Sequence, residues 1–209
     1  MYNYSVYEGI TQKELDKVKI CLKFIERTYN KNEIISQNSG SGQEVGIVKS
    51  GIVYLGSESI NGQNSMIDYF EKGEAFSARF FRGTELNSYY MIAKTKCVIE
   101  FVNYQNLVSC CKNCCEGHLK LFDNILTSAT LKSQSRVDIL SQHNIRSKLL
   151  SYFYYLKDKK NTDVLNIPLS MVELSSFLAV NRSAMTREIK NMNEEGIINS
   201  SGKKVALLE

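Results

Sequence analysis

The chain has 209 residues, of which 43% are hydrophobic, 10% aromatic and 23% charged, the composition of an ordinary soluble globular protein. Lys and Arg number 26 against 22 Asp and Glu, for a net charge of +4, and residues 143–209 hold most of the excess with ten basic against seven acidic side chains. No apolar run approaches the ~20 residues of a membrane span, and the N-terminus "MYNYSVYEGITQKELDKVKICLKF" lacks the basic and apolar regions of a secretory signal, so a cytoplasmic protein without a membrane-spanning helix is expected.

In chain order, "TQKELDKVKICLKFI" predicts a helix packed on the domain that follows. Gly40, Gly51, Gly62 and Gly73 recur every eleven residues, and between and after them stand strand-like runs, "VGIVKSGIVYLG", "SMIDYF" and "YYMIAKTKCVIEFV". Short strands separated by turn residues at this interval predict an antiparallel all-β sandwich or barrel over residues 20–105. Ile60–Gln63 supplies the Asn-Gly pair of a tight hairpin. From Asn113 to Gln142 the only glycine is Gly117, and apolar residues recur at Leu119, Phe122, Leu126, Ala129 and Leu140. Their early spacing of 3 and 4 predicts a long helix with the seam of an imperfect coiled coil, interrupted at Ser133 and Arg136; one intramolecular core helix is the alternative. A second helix, "NIRSKLLSYFYYLKD", leads into a polar connector, Lys159 to Asp163.

The last segment is the most informative. Ser170 and Glu173 form a capping box that starts a helix at Met171 and buries Leu174, Phe177 and Leu178. Ala179–Asn181 predicts a tight turn, with Asn181 the N-cap of a second helix that buries Met185, Ile189 and Met192 and ends at Gly196. Two short helices joined so tightly are a helix-turn-helix. The second presents Arg182, Ser183, Thr186, Arg187 and Lys190 away from its apolar stripe, and "IINSSGKKVALL" predicts a two-stranded wing carrying Lys203 and Lys204. Arginine reads guanine bidentately in the major groove, and lysine meets phosphates. The candidate DNA-binding residues are therefore Ser170, Arg182, Ser183, Thr186, Arg187, Lys190 and Lys203.

A glycine-punctuated β-roll, a long helix and a winged helix-turn-helix together resemble the CRP/FNR superfamily of bacterial transcription regulators. "SGIVYL", "NGQ", "KGEAF", "AKTKCVIEFV", "NIRSKLLSYF" and "LSMVELSSFLAVNRSAMTREIKNMNEEGIIN" carry the resemblance over nearly the whole chain. It implies an α+β architecture: an effector-sensing β-roll of jelly-roll or cupin-like form with its N-terminal helix (1–112), a dimerisation helix (113–142) and a winged helix-turn-helix (143–209). It further implies a homodimer without catalytic activity, a palindromic double-stranded DNA operator and RNA polymerase as a partner. Many relatives carry an acidic residue where Ser183 stands, and glycine where Ala179 stands. The family's cyclic-nucleotide cassette pairs a glutamate with an arginine; by alignment those positions hold Ala78 and Asn87, followed by Ser88. Cyclic AMP is thus not expected as the effector, and the pocket candidates are Arg79, Arg82, Asn87 and Ser88, with the two arginines able to receive a different anion.

"SCCKNCCEGH" (109–118) places Cys110, Cys111, Cys114, Cys115 and His118 at the junction of roll and helix. If that segment is helical, Cys111, Cys115 and His118 share one face and supply zinc ligands; if it is a turn, Cys111 and Cys114 form a dithiol. The alternative functions are accordingly a metal- or thiol-sensing regulator using Cys111, Cys114, Cys115 and His118, or thiols that merely pack. The iron–sulphur sensing of the FNR branch does not transfer, because residues 1–20 lack cysteine. A cupin-type metalloenzyme needs histidines on its strands, and His118 and His143 lie outside the roll.

Overall fold

A computed structural model of the chain describes residues 5–37, 43–78, 87–109 and 115–208. The chain forms two compact units, one running up to Thr130 and one from Leu131 onward, so their junction falls inside a helix. The first contains α1 (Gln12–Cys21), β1 (Ile25–Tyr29), β2 (Ile34–Gln37), β3 (Glu44–Ser50), β4 (Val53–Ser59), β5 (Asn64–Phe70), β6 (Ala75–Phe76), β7 (Asn87–Ala93), β8 (Cys97–Asn103), α2 (Tyr104–Val108) and the first part of α3 (Glu116–Leu140). The strands form two four-stranded antiparallel sheets, β1-β8-β3-β6 and β2-β7-β4-β5. Period-2 alternation sorts their side chains. Val48, Ile99 and Phe101 of one sheet and Val53, Leu55 and Met91 of the other turn inward and pack with Phe70 and Phe76. The ring centroids of Phe76 lie 5.5 Å from Phe70 and 6.3 Å from Phe101, so aromatic surface fills the space between the sheets.

The β4–β5 hairpin turns at Ser59–Gln63, where the Ser59 N–H donates to the Gln63 carbonyl (2.9 Å), as the Asn-Gly pair predicts. Gly51, Gly62 and Gly73 all have positive φ; Gly40 lies outside the described residues. At Gly51 the requirement is double: φ is +91°, and a Cβ would stand 2.7 Å from the Cys97 sulphur. Only glycine meets both conditions.

The opposite face of the β3–β8 sheet is covered by α1 and α3. Val45, Ile47 and Val102 pack there against Val18, Leu22, Leu121 and Ile125. α1 starts where predicted, with Thr11 as N-cap and Glu14 closing the capping box. Beside it the buried Glu100 of β8 accepts from the Tyr7 hydroxyl and the Lys19 ammonium, each at 2.7 Å. Burial, reinforced by the hydrogen bond to the Glu100 carboxylate, holds the Tyr7 phenol well above its ordinary value. Asn124 of α3 donates to the Val6 and Glu8 carbonyls at 3.0 and 2.9 Å, tying the N-terminal segment to the helix.

α3 carries two apolar stripes rather than one. Leu121 and Ile125, absent from the predicted seam, are buried, whereas Leu119, Leu126 and Val137 are 62%, 45% and 64% exposed. At 100° per residue those three fall within about 20° of one line. Phe122, placed on the seam by spacing, is half-buried against the core. Arg136, the seam interruption, instead lays its guanidinium 3.7 Å from the centroid of the Phe177 ring.

The second unit contains the end of α3, α4 (Ile145–Lys160), β9 (Val164–Asn166), α5 (Met171–Phe177), α6 (Arg182–Glu194), β10 (Ile198–Ser201) and β11 (Lys204–Leu207). Asn144 caps α4 by accepting from the Ser147 N–H at 2.8 Å. Leu149, Tyr152, Phe153 and Leu156 of α4, Leu174 and Phe177 of α5, and Met185 and Met192 of α6 are buried in its core. The wing has three strands in the order β10-β11-β9. Among the described residues no helix is long and apolar enough to cross a membrane.

Candidate nucleic-acid interface

The helix-turn-helix is built by local chemistry at each joint. The Ser170 hydroxyl accepts from the Glu173 N–H, and the Glu173 carboxylate accepts from the Ser170 N–H at 2.7 Å, so both halves of the capping box form. Ser170 therefore fixes the start of α5. After the C-cap Leu178 the chain turns through Ala179, whose φ is +50°. The Ala179 N–H donates to the Ser176 carbonyl (3.1 Å) and the Val180 N–H to the Ser175 carbonyl (3.0 Å), bonds that require the left-handed conformation at residue 179. Asn181 then caps α6, accepting from the Ala184 N–H at 3.1 Å.

On α6, Met185 and Met192 are fully buried while Arg182, Ser183, Thr186, Arg187 and Lys190 are exposed. Arg182 and Arg187 form no ion pair among the described residues. Lys190 stands 3.5 Å from Glu194, with both side chains largely in solvent. The Thr186 hydroxyl donates to the Arg182 carbonyl at 2.9 Å. Lys203 sits at the exposed wing turn beside Gly202, φ +60°, and its carbonyl accepts from the Ile167 N–H at 2.7 Å. The structure thus brings Arg182, Ser183, Thr186, Arg187 and Lys190 to one helix surface.

Sequence reasoning missed Arg146. From the first turn of α4 its Nε donates to Glu188 of α6, and its two Nη groups donate to Glu195, just past the end of α6, at 2.6 and 2.8 Å. The hydrogen bonds from the guanidinium hold the Glu195 carboxyl below its ordinary value and raise the already high value of Arg146. Its partners lie 42 and 49 residues away, beyond any local spacing rule.

The other candidates come together less. Arg79, Arg82, Cys110, Cys111 and Cys114 lie outside the described residues. Ala78 follows β6, Asn87 opens β7, and Ser88 stands opposite Glu58 of β4. The predicted helical face of Cys111, Cys115 and His118 is not what forms at its C-terminal end. α3 begins at Glu116, so Cys115 precedes it, and His118 is buried with Nε2 2.7 Å from the Leu107 carbonyl. Among the described residues no group of three or more His, Cys, Asp or Glu is placed to hold a metal ion.

A β-roll and a winged helix-turn-helix on one chain define a class of DNA-binding regulators. Two family models match: the cyclic nucleotide-binding domain over residues 26–114 and the Crp-like helix-turn-helix domain over residues 147–209. A curated protein of Lacticaseibacillus casei, "Probable transcriptional regulator flp", is 25% identical over 121 residues, 56% of this chain; the match spans about half, 52%, of that protein's length. FixK2 from Bradyrhizobium japonicum superposes with a TM-score of 0.68 at 14% identity, covering 88% of this chain and 92% of its own. The c-di-GMP responsive global regulator CLP of Xanthomonas campestris superposes with a TM-score of 0.65 at 16% identity, covering 91% and 97%. The chain belongs to the CRP/FNR family of transcription regulators, a family of DNA-binding proteins rather than enzymes.

Proposed function

We propose that the protein is a homodimeric, sequence-specific DNA-binding transcription regulator of the cytoplasm whose effector is not cyclic AMP. The observation that carries the proposal is the division of α6. Met185 and Met192 are buried on one side, and Arg182 and Arg187, without an ion pair among the described residues, stand exposed with Ser183 on the other. A helix so divided fits the major groove, where Arg182 and Arg187 reach guanine edges and Thr186 offers its methyl to a thymine. Ser183 lacks the carboxylate that would accept from a cytosine amino group, which relaxes the preference at that base pair. Lys190, Lys203 and Lys204 meet phosphates, while Ser170 acts through its cap.

In this reading residues 1–112 sense, 113–142 dimerise and 143–209 bind DNA, with RNA polymerase as the partner acted on. The exposed line of Leu119, Leu126 and Val137 supports a second copy along α3, because a line of large apolar side chains on one helix gains most by meeting its own twin. Two-fold symmetry then sets two half-sites about 34 Å apart. Against cyclic AMP stand the missing charges at Ala78 and Asn87, the carboxylate-bearing Glu58 opposite Ser88, and the aromatic filling between the sheets. A buried phosphate without a guanidinium would lose its charge-assisted pair and keep its desolvation cost.

The test is fluorescence anisotropy of a labelled duplex at two salt concentrations. A dimer neutralising about six phosphates should lose roughly 10³-fold in affinity between 50 and 200 mM salt. Adding cyclic AMP should change nothing. Salt-insensitive binding, or tightening by cyclic AMP, would contradict the proposal.

A further inference from the structure

We infer that Arg146 is a positioning residue for DNA binding, which offsets half of the negative charge that Glu188 and Glu195 put on the flank of α6 and so lets that helix approach phosphate. The inference rests on the DNA-binding reading and extends it to a residue that faces no base. A helix that enters the groove of a polyanion gains from basic side chains and is repelled through acidic ones. α6 and its C-cap nevertheless carry three carboxylates, Glu188, Glu194 and Glu195. Each has a basic partner: Glu194 stands by Lys190, and the other two share the single guanidinium of Arg146, which offsets one of their two charges.

The geometry suits one arginine and no other basic residue type. Glu188 and Glu195 are seven residues apart, so on a helix they fall within about 20° of one line and roughly 10 Å along the axis. That line lies about a quarter-turn round from Arg187, the nearest residue of the proposed groove surface, and roughly 120–180° from Arg182, Ser183, Thr186 and Lys190. Arg146 grips Glu195 with both Nη groups and Glu188 with Nε, which a point-charge ammonium cannot do. Its root is fixed by the Asn144 cap and by Leu149 and Phe153, which are buried in the core.

The side chains of Arg146, Glu188 and Glu195 are 35%, 22% and 47% exposed, so water screens the cluster and it adds little to stability. Near DNA the situation changes, because each freed carboxylate would meet the field of the phosphates. The effect therefore reads in DNA affinity rather than in melting temperature.

The experiment compares wild type, Arg146→Gln, Glu188→Gln/Glu195→Gln and the triple Arg146→Gln/Glu188→Gln/Glu195→Gln, all as full-length chains. The probe is a duplex that the wild-type protein enriches from a randomised pool, with affinity read by anisotropy and folding by calorimetry. Arg146→Gln should bind at least tenfold more weakly while melting close to wild type, and the triple, whose cluster carries no charge, should recover to wild-type affinity or better. A purely structural role would not be rescued by neutralising the acids, so a triple as weak as Arg146→Gln overturns the inference. Unchanged affinity in Arg146→Gln overturns it equally. If Arg146→Gln does not fold, the Glu188→Gln/Glu195→Gln protein decides: its amide oxygens still accept from Arg146, so affinity at or above wild type is expected and a tenfold loss refutes. A wild-type protein that enriches no duplex would instead fail the DNA-binding reading itself.

Discussion

Ala179 is the sharpest local test of the helix-turn-helix geometry. Its φ of +50° places an L side chain in the left-handed region, where Cβ crowds the following carbonyl. That crowding costs roughly 1–2 kcal/mol. Ala179→Gly removes it, but the freer unfolded chain returns about 0.4–1 kcal/mol of the gain. The net expectation is a stabilisation of about 0.5–1 kcal/mol, and for a chain of this length roughly 2–4 °C of melting temperature accompany each kcal/mol. Calorimetry of the full chain should therefore show Ala179→Gly melting about 1–4 °C higher. Ala179→Val should melt lower than wild type, because a β-branched residue tolerates positive φ worst. A glycine variant no more stable than wild type, or a valine variant equal to it, would refute the reasoning and with it the left-handed turn.

Leu126→Glu puts a charge on the exposed line of α3 and leaves the buried Leu121 and Ile125 untouched. Sedimentation should show a folded monomer in place of a dimer, and an unchanged dimer would reject that face as the interface. Tyr7→Phe removes the hydroxyl that donates to the buried Glu100 carboxylate, and urea unfolding at pH 7 should show a loss of about 1–3 kcal/mol. The pH dependence has a definite sign. The Tyr7 phenol is held above its ordinary value in the folded state, so above about pH 10 the unfolded chain releases its proton first. The contribution is constant below that pH and is lost as pH rises through it. Wild type should accordingly lose more stability than Tyr7→Phe between pH 9 and 11, and equal losses would remove Tyr7 as the cause.

Local signals were legible in the sequence because their chemistry is local. The Ser170–Glu173 box, the Asn181 cap and the Asn-Gly hairpin each involve partners within four residues, and each stands where the residues placed it. Ala179, where many relatives carry glycine, has a positive φ. What escaped depends on distance in the chain. Spacing marks apolar residues on α3 but cannot say which line meets its own sheet, so it puts Phe122 on the seam and omits the buried Leu121 and Ile125. β9 has only three residues and pairs with β11 some forty residues later, so the local sequence announces only two strands of the wing. Nothing near Arg146 announces Glu188 or Glu195. His118, one of two histidines and next to a run of cysteines, suggests a metal ligand; nothing near it in sequence announces that its Nε2 stands 2.7 Å from the Leu107 carbonyl.

The central claim is that α6 reads a two-fold symmetric DNA sequence with Arg182 and Arg187. Its most direct test is selection from a randomised duplex pool by the wild-type protein, repeated with Arg187→Ala. The account predicts that wild type enriches an inverted repeat with half-site centres about one helical turn apart. The variant should lose discrimination at one position in each half-site, at a cost of about 1–3 kcal/mol. No enrichment by wild type, or the same consensus selected equally well by Arg187→Ala, would contradict it.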